Sequence, residues 1–219
     1  MDADNRKIPS HEVTYARLRD MILYGHLAPG APVTIQGLIG DLGAGMTPVR
    51  EAIRRLTAEG ALLPQGNRRV AVPQMGGAVL EQVAFARLTI EPRLAELAAG
   101  NLTPVLIDRL QAIDNAVDRA IRSSNIPAYL EANHAFHFAL YEASDAAVLV
   151  DMARSLWLRF GPSLRVVCAR YGSATLPDRH SEALAAMRVG DRAALAAAIH
   201  SDIADGVGQV RQAIAEGEI

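Results

Sequence analysis

Thr47-Pro48-Val49-Arg50-Glu51-Ala52-Ile53-Arg54-Arg55-Leu56, followed by Glu59-Gly60, is the stretch that decides the fold. Thr47 reads as a helix N-cap, Pro48 as the first helical residue, where a missing N–H costs nothing, and Gly60 as a left-handed C-cap. Val49, Ala52, Ile53 and Leu56 recur at helical spacing and face a core, which turns Arg50 and Arg54 together onto the exposed side. Working backwards, Gly43-Ala44-Gly45 makes a tight connection to a second short helix capped by Thr34 and running to Leu42. Before it, His11–Tyr24 reads as a first helix with an apolar stripe of Val13, Ala16, Leu18, Ile22 and Leu23, stopped by Gly25 and Pro29-Gly30. Working forwards, Leu62-Leu63 and Val70-Ala71-Val72 read as two strands of a hairpin around Gln65-Gly66-Asn67-Arg68. Helix, short helix, glycine turn, helix and hairpin is the order of a winged helix-turn-helix, with the quoted stretch as recognition helix.

Pro73–Gly77 reads as a linker. Beyond it no strand alternation occurs, and six helices are expected near 78–100, 103–123, 127–143, 146–170, 177–189 and 191–215. The predicted fold is mainly α: a DNA-binding unit over residues 1–74 and a helical ligand-binding and dimerisation bundle over 78–219.

The chain of 219 residues is half apolar, enough for two cores, and its net charge is −2. That balance hides an asymmetry. Residues 1–74 carry nine basic against seven acidic side chains, and Gly45–Val72 alone carries five arginines against two glutamates. The positive field is therefore local to the expected reading head. A single cysteine, Cys168, cannot make an internal disulfide, Met1–Ser10 does not read as a secretion signal, and no apolar run approaches the roughly 18 residues of a membrane span. A cytoplasmic protein is expected.

With these residues laid out, the N-terminal part closely resembles the GntR family of bacterial regulators, on Leu27-Ala28-Pro29-Gly30, the run Thr47–Leu56 and Glu59-Gly60. The C-terminal part resembles the FCD domain of the FadR-type branch, on Arg87 and Glu91, Asn133-His134-Ala135-Phe136-His137, His180, Ala186 and Gly190-Asp191. The resemblance implies a homodimer on a palindromic double-stranded operator, answering to a metabolite, often a carboxylate, that enters the helical domain beside a divalent metal. Gly45 and Met46 stand where the family usually has serine or threonine and then arginine, so the operator is not transferred.

The family's metal pattern is Asp-x-x-x-His, then a histidine opening the next-to-last helix, then one on the last. Here Asn133 replaces the aspartate, His137 and His180 match, and counting through Gly190-Asp191 puts Asp202 rather than His200 in the last place. Periodicity agrees, since Leu195, Ile199, Asp202, Ile203, Gly206 and Val210 share a face that excludes His200. Likewise His137 shares a stripe with Leu130, Asn133 and Tyr141, and His180 with Leu184 and Met187. Two imidazoles and a carboxylate suit zinc, nickel or manganese, with Asn133 a weak oxygen ligand or outer partner. The alternative is a hydrogen-bonded cluster without an ion.

Thr47, Arg50, Arg54, Arg68 and Arg69 are the candidate DNA contacts, each with the plain alternative of a solvated surface residue. Arg87 reads either as an anchor for an effector carboxylate or as the partner of Glu91 one turn later. A metal-dependent hydrolase and an architectural DNA-binding protein are the rival classes. Against the first, no Gly-x-Ser-x-Gly, phosphate-binding glycine loop or His-Glu-x-x-His occurs. Against the second, some 145 residues of helical domain with inward polar groups would have no purpose.

Overall fold

In a computed structural model, which describes residues 10–66, 69–171 and 179–219, the chain is helical apart from one small sheet. The first half-domain comprises α1 (Ser10–Leu23), β1 (Pro32–Thr34), α2 (Ile35–Leu42), α3 (Met46–Ala58), β2 (Leu63–Gln65) and β3 (Arg69–Ala71). Leu18, Ile22, Leu38, Leu42, Val49, Ala52, Leu56 and Val70 form its core. The expected apolar stripe of α1 is corrected at its start: Val13 is exposed and Thr14 takes the inward place.

Local chemistry explains most of the element ends. The Thr34 side chain accepts the Gly37 N–H at 2.9 Å to open α2, and Gly43, at φ 57°, closes it in the left-handed region. The start of α3 differs from the expectation. The Gly45 carbonyl accepts the first helical bond, from Val49 N, so Gly45 is the N-cap, and Thr47 lies inside the first turn and caps nothing. Pro48 is then the third helical residue, still among the N–H groups that lack a helical partner, so its missing donor remains free of cost. Gly60 does adopt φ 74° just past the end of α3.

The sheet is antiparallel in the order β1-β3-β2, with Val33 and Pro64 both opposite Val70. Sequence reasoning misses β1, a three-residue strand headed by a proline. Leu62 belongs to the exit of α3, its N–H bonding Leu56 O, rather than to the hairpin. The segment read as a linker is pinned: Gly30 N donates to Val72 O at 2.9 Å, and Met75 is buried.

The second half comprises α4 (Gly77–Ala98), α5 (Pro104–Arg122), α6 (Ile126–Tyr141), a 3-10 turn over Glu142–Ser144, α7 (Ala147–Tyr171), α8 (Arg179–Val189) and α9 (Arg192–Ala215). Thr103, Asn125 and Asp191 each accept a first-turn N–H and start α5, α6 and α9. The separator expected at Gly172–Pro177 lies outside the described residues. Packing pairs α4 with α9, α5 with α6 and α8 with α9, while α7 lies against α4, α6 and also α1. The α1–α7 contact is close because Gly161 has no side chain: a Cβ there would meet the Leu23 carbonyl oxygen at 3.1 Å. Beside it, Tyr24 at the end of α1 meets the His134 ring edge-on at 5.9 Å. No described helix is long and apolar enough to cross a membrane.

Candidate nucleic-acid interface and metal-binding cavity

The outer face of α3 carries Met46, Thr47, Arg50 and Arg54, all exposed. Arg54 reaches back one turn to Glu51, with Nη2 at 2.5 Å from Oε1 and Nε at 3.2 Å from Oε2. Arg50 has no ion-pair partner among the described residues and is the freer of the two. Arg55 faces the other way. Its guanidinium stacks on the Tyr15 ring at 3.7 Å and pairs with Glu59 and Glu12. Tyr15 in turn donates to Glu59 at 2.8 Å, locking α1 to α3. Burial, and then the Glu59 hydrogen bond, push the Tyr15 hydroxyl up to about 12, so it stays a donor. Arg69 stands exposed on β3, and Arg68 lies outside the described residues.

In the helical half, α6, α8 and α9 bring His137, His180 and Asp202 into one cluster, their ligand-type atoms all within 4.8 Å of one another. His137 Nε2 lies 3.1 Å from Asp202 Oδ2 and 3.4 Å from His180 Nε2. His137 and His180 are buried, whereas Asp202 keeps 24% of its side-chain exposure and lines a cavity of about 80 Å³. Asn133, Arg87, Trp157 and Arg179 also line it. Asn133 is buried one turn before His137. His200 is exposed on the far side of α9. His134 is turned toward Trp157, Phe138 and Tyr24 instead of the cavity cluster.

The outer hydrogen bonds decide what the cluster can hold. Tyr141 OH donates to Glu91 Oε2 at 2.7 Å, so its oxygen can only accept at His137 Nδ1, 2.9 Å away. His137 therefore carries its proton on Nδ1 and presents a bare lone pair at Nε2. Asp114 Oδ1 accepts from His180 Nδ1 at 3.1 Å, which bares His180 Nε2 in the same way. Two nitrogen lone pairs and a carboxylate oxygen then converge, an arrangement that repels itself unless a cation lies between them. A divalent metal or a proton meets that need, and the pattern of imidazoles oriented by outer carboxylates is the one metal sites use. With a proton in that gap rather than a metal, burial would still raise the Asp202 carboxyl, but the hydrogen bond and charge of His137, with His180 and Arg87, outweigh it and hold the group below the usual carboxylate range.

Arg87 is paired with Glu91, Nε to Oε1 at 2.6 Å, both residues buried. Its guanidinium lies between Trp157 and Phe160, 4.6 and 4.4 Å from the ring centres. Glu91 also accepts from Trp157 Nε1 at 2.9 Å, so this carboxylate is saturated. Arg179 is spoken for as well, by Asp205 and Glu182. With Asp114, Asp118, Asp202 and Asp205 lining the cavity against two paired arginines, the local balance favours a cation.

Sequence reasoning does not find Asp114, Trp157 or Arg179, and it puts Tyr141 on the stripe of His137 without giving it a role. One signal is present: Asp114 interrupts the inward stripe of Leu110, Val117 and Ala120 on α5, and a carboxylate on such a stripe needs a partner.

Residues 11–72 match the family described as bacterial regulatory proteins, gntR family, and residues 82–205 match the FCD domain. The HTH-type transcriptional regulator McbR of Escherichia coli is 31% identical over 179 residues, covering 80% of each chain. A probable D-xylose utilization operon transcriptional repressor of Paenarthrobacter nicotinovorans is 25% identical over 87% of this chain and 85% of its own. Among solved structures, E. coli McbR/YncC superposes with a TM-score of 0.88 at 26% identity, covering 94% of this chain and 99% of that one. A putative GntR regulator from Rhodococcus sp. RHA1 shares the fold at a TM-score of 0.75 and 20% identity, over 93% and 98%. A reading head built on α3, joined to a helical bundle that gathers His137, His180 and Asp202, thus belongs to the GntR family of transcription regulators, in the FadR-type branch with an FCD domain.

Proposed function

We propose that the chain is a cytoplasmic, homodimeric repressor that binds a palindromic operator and answers to a small carboxylate in its helical domain. In this reading residues 1–74 bind DNA and residues 78–219 bind the effector and dimerise. Arg50 and Arg54 reach base edges or phosphates of the major groove, with Thr47 at the start of α3, and Arg68 and Arg69 contact the backbone from the wing. The chain is a regulator without catalytic activity.

The observation that carries the effector half is the convergence of the His137 and His180 Nε2 lone pairs on Asp202. A divalent ion, zinc, nickel or manganese, would be held there by these three residues, with Asn133 close by, and would supply a Lewis-acidic point for a carboxylate. The protein's own residues prepare the site, since Tyr141 and Asp114 fix the ring orientations and Trp157 and Phe160 wall the cavity. Arg87 gives Nε and Nη2 to Glu91, so its contribution to a carboxylate is limited to the remaining Nη1. A cavity of about 80 Å³ holds an ion and a few atoms, and a metabolite needs the Arg179–Asp205 pair to part.

The test combines elemental analysis of protein purified without chelator or metal-affinity tag with operator binding by fluorescence anisotropy. The DNA is selected from a random pool, and a panel of small carboxylates is added with and without metal. Metal at one ion per chain, lost in Asp202→Ala and kept in His200→Ala, together with carboxylate release of an inverted-repeat operator, is the expected result. Metal-free wild type with unchanged DNA binding would reject the effector half, and protection of a single asymmetric half-site would reject the dimer.

A further inference from the structure

The glycines that end α1 and α3 are occupied from outside their own helices. Gly25, at φ 71°, and Gly60, at φ 74°, close α1 and α3 with the same pair of bonds. Gly25 N donates to Ile22 O and His26 N to Met21 O, while Gly60 N donates to Thr57 O and Ala61 N to Leu56 O. The left-handed backbone alone favours glycine here. At both positions the space that a Cβ would take is filled as well. A Cβ on Gly60 would lie 2.6 Å from Arg159 Nη2 and 2.7 Å from both its Cζ and its Nη1. One on Gly25 would overlap Arg165 Cδ and lie 2.7 Å from its Cγ. Gly43, Gly190 and Gly217 follow α2, α8 and α9 in the same left-handed conformation, yet nothing stands within 4 Å of the corresponding point. A side chain over the glycine is therefore not a general feature of such helix ends in this chain.

Both arginines come from α7 of the helical bundle, on either side of Gly161, whereas both glycines belong to the reading head. The near-equal distances to three atoms of the Arg159 fork lay its guanidinium flat on the Gly60 backbone, and Arg165 packs on Gly25 with its aliphatic stem. Each cation stands near the negative end of a helix, and α1 has no basic residue of its own in its last turn. Gly161 and Arg165 meet the end of α1, and Arg159 meets the end of α3. Held at two separate helix ends, the head cannot pivot about either one.

We infer that Arg159 and Arg165 are positioning residues: seated on Gly60 and Gly25, they fix the angle at which α3 is held on the bundle and presented to DNA. This rests on the reading of α3 as the recognition helix and adds what sets its orientation. Neither arginine needs to touch DNA or effector for this role.

Pulsed electron resonance on the full chain tests it. Spin labels go on Asp41→Cys of α2 and Val189→Cys of α8, both exposed positions, while the native Cys168 is buried. Dilution with unlabelled chain leaves only distances within one molecule. Wild type should give one narrow distribution, and Arg159→Ala combined with Arg165→Ala should roughly double its width with the circular dichroism spectrum unchanged. The same double variant should bind an inverted-repeat operator roughly tenfold more weakly, because two loosened heads must be ordered on binding, and a single half-site as wild type does. Gly60→Ala should lower the melting temperature more than Gly43→Ala, which meets the left-handed strain without an occupant, and Arg159→Ala should remove the excess. Unchanged distances in a double variant that still binds DNA, or equal losses for the two glycine variants, would overturn this role alone. Broadened distances with equal losses on both DNAs would also overturn it, since the arginines would then only support the fold of the head. Binding of neither DNA by wild type would overturn the recognition-helix reading and this role together.

Discussion

Asp114 on α5 and His180 on α8, 66 residues apart in the chain, meet at 3.1 Å, and that contact determines which nitrogen of His180 faces the cavity. Replacing Asp114 with alanine removes the group that holds the proton on Nδ1 and orients the ring. Metal affinity should fall by about 10- to 100-fold without loss of a ligand, the usual effect of deleting an outer partner. Competition against a chromophoric chelator measures it, and an unchanged affinity would remove Asp114 from the site.

Glu91 is the hub beneath His137, holding Arg87, Tyr141 and Trp157 at once. Glu91→Leu leaves a buried guanidinium without its counter-charge and two donors without an acceptor. Breaking such a pair costs about 3–5 kcal/mol. Urea unfolding of the metal-free protein should show a loss of that order, and a loss under about 1 kcal/mol would mean that water replaces the carboxylate.

On the DNA side, Arg54→Ala should weaken specific operator binding by roughly 5- to 150-fold at fixed salt, with the melt unchanged. Arg69→Ala, touching phosphate alone, should leave sequence preference intact and lower the salt slope by about one. Equal losses on specific and random DNA for Arg54→Ala would turn it from a base reader into a backbone contact.

His134 is pulled from the ordinary 6.5 to about 3, first by burial and then by the positive charges of Arg19, His137 and Arg154. Its folded pKa is depressed, so the unfolded chain binds the proton first, and the stability owed to neutral His134 is lost as pH falls from 6.5 toward 3. His134→Gln should flatten this part of the stability curve. An identical acid slope in both proteins would show that other groups govern it.

Burial raises the Cys168 thiol to about 12, leaving it protonated and enclosed at neutral pH. In native protein it should resist a thiol-reactive dye for hours while reacting at once in denaturant. Rapid labelling of the native protein would reveal opening of α7.

The parts legible in the sequence are those with a local code. The helix order follows from periodicity and from Gly43 and Gly60, and the inward sides of α6, α8 and α9 follow from spacing. Thr47 misleads because a capping side chain is only a propensity, and the carbonyl of Gly45 has already opened α3. The strand β1 is illegible for another reason: three residues carry no alternation, and they become a strand only because β3 has a free edge. Trp157 and Tyr141 join the site through contacts with Glu91 over 66 and 50 residues of chain, which no local pattern encodes.

Trp157 has a position whose consequence reaches past the cavity. Its ring touches His137 at 5.0 Å and His134 at 5.5 Å, and His134 is the residue on which Tyr24 of α1 rests. One turn further along α7, Gly161 lets the backbone of α1 settle against it. Cavity and reading head are thus mounted on a common spindle, with α7 as the shaft and the indole as the key that fixes its angle. In the proposed dimer, turning the shaft by even a few degrees to admit a ligand would swing α3 with it, so the two half-sites of an operator would fall out of phase without any hinge having bent.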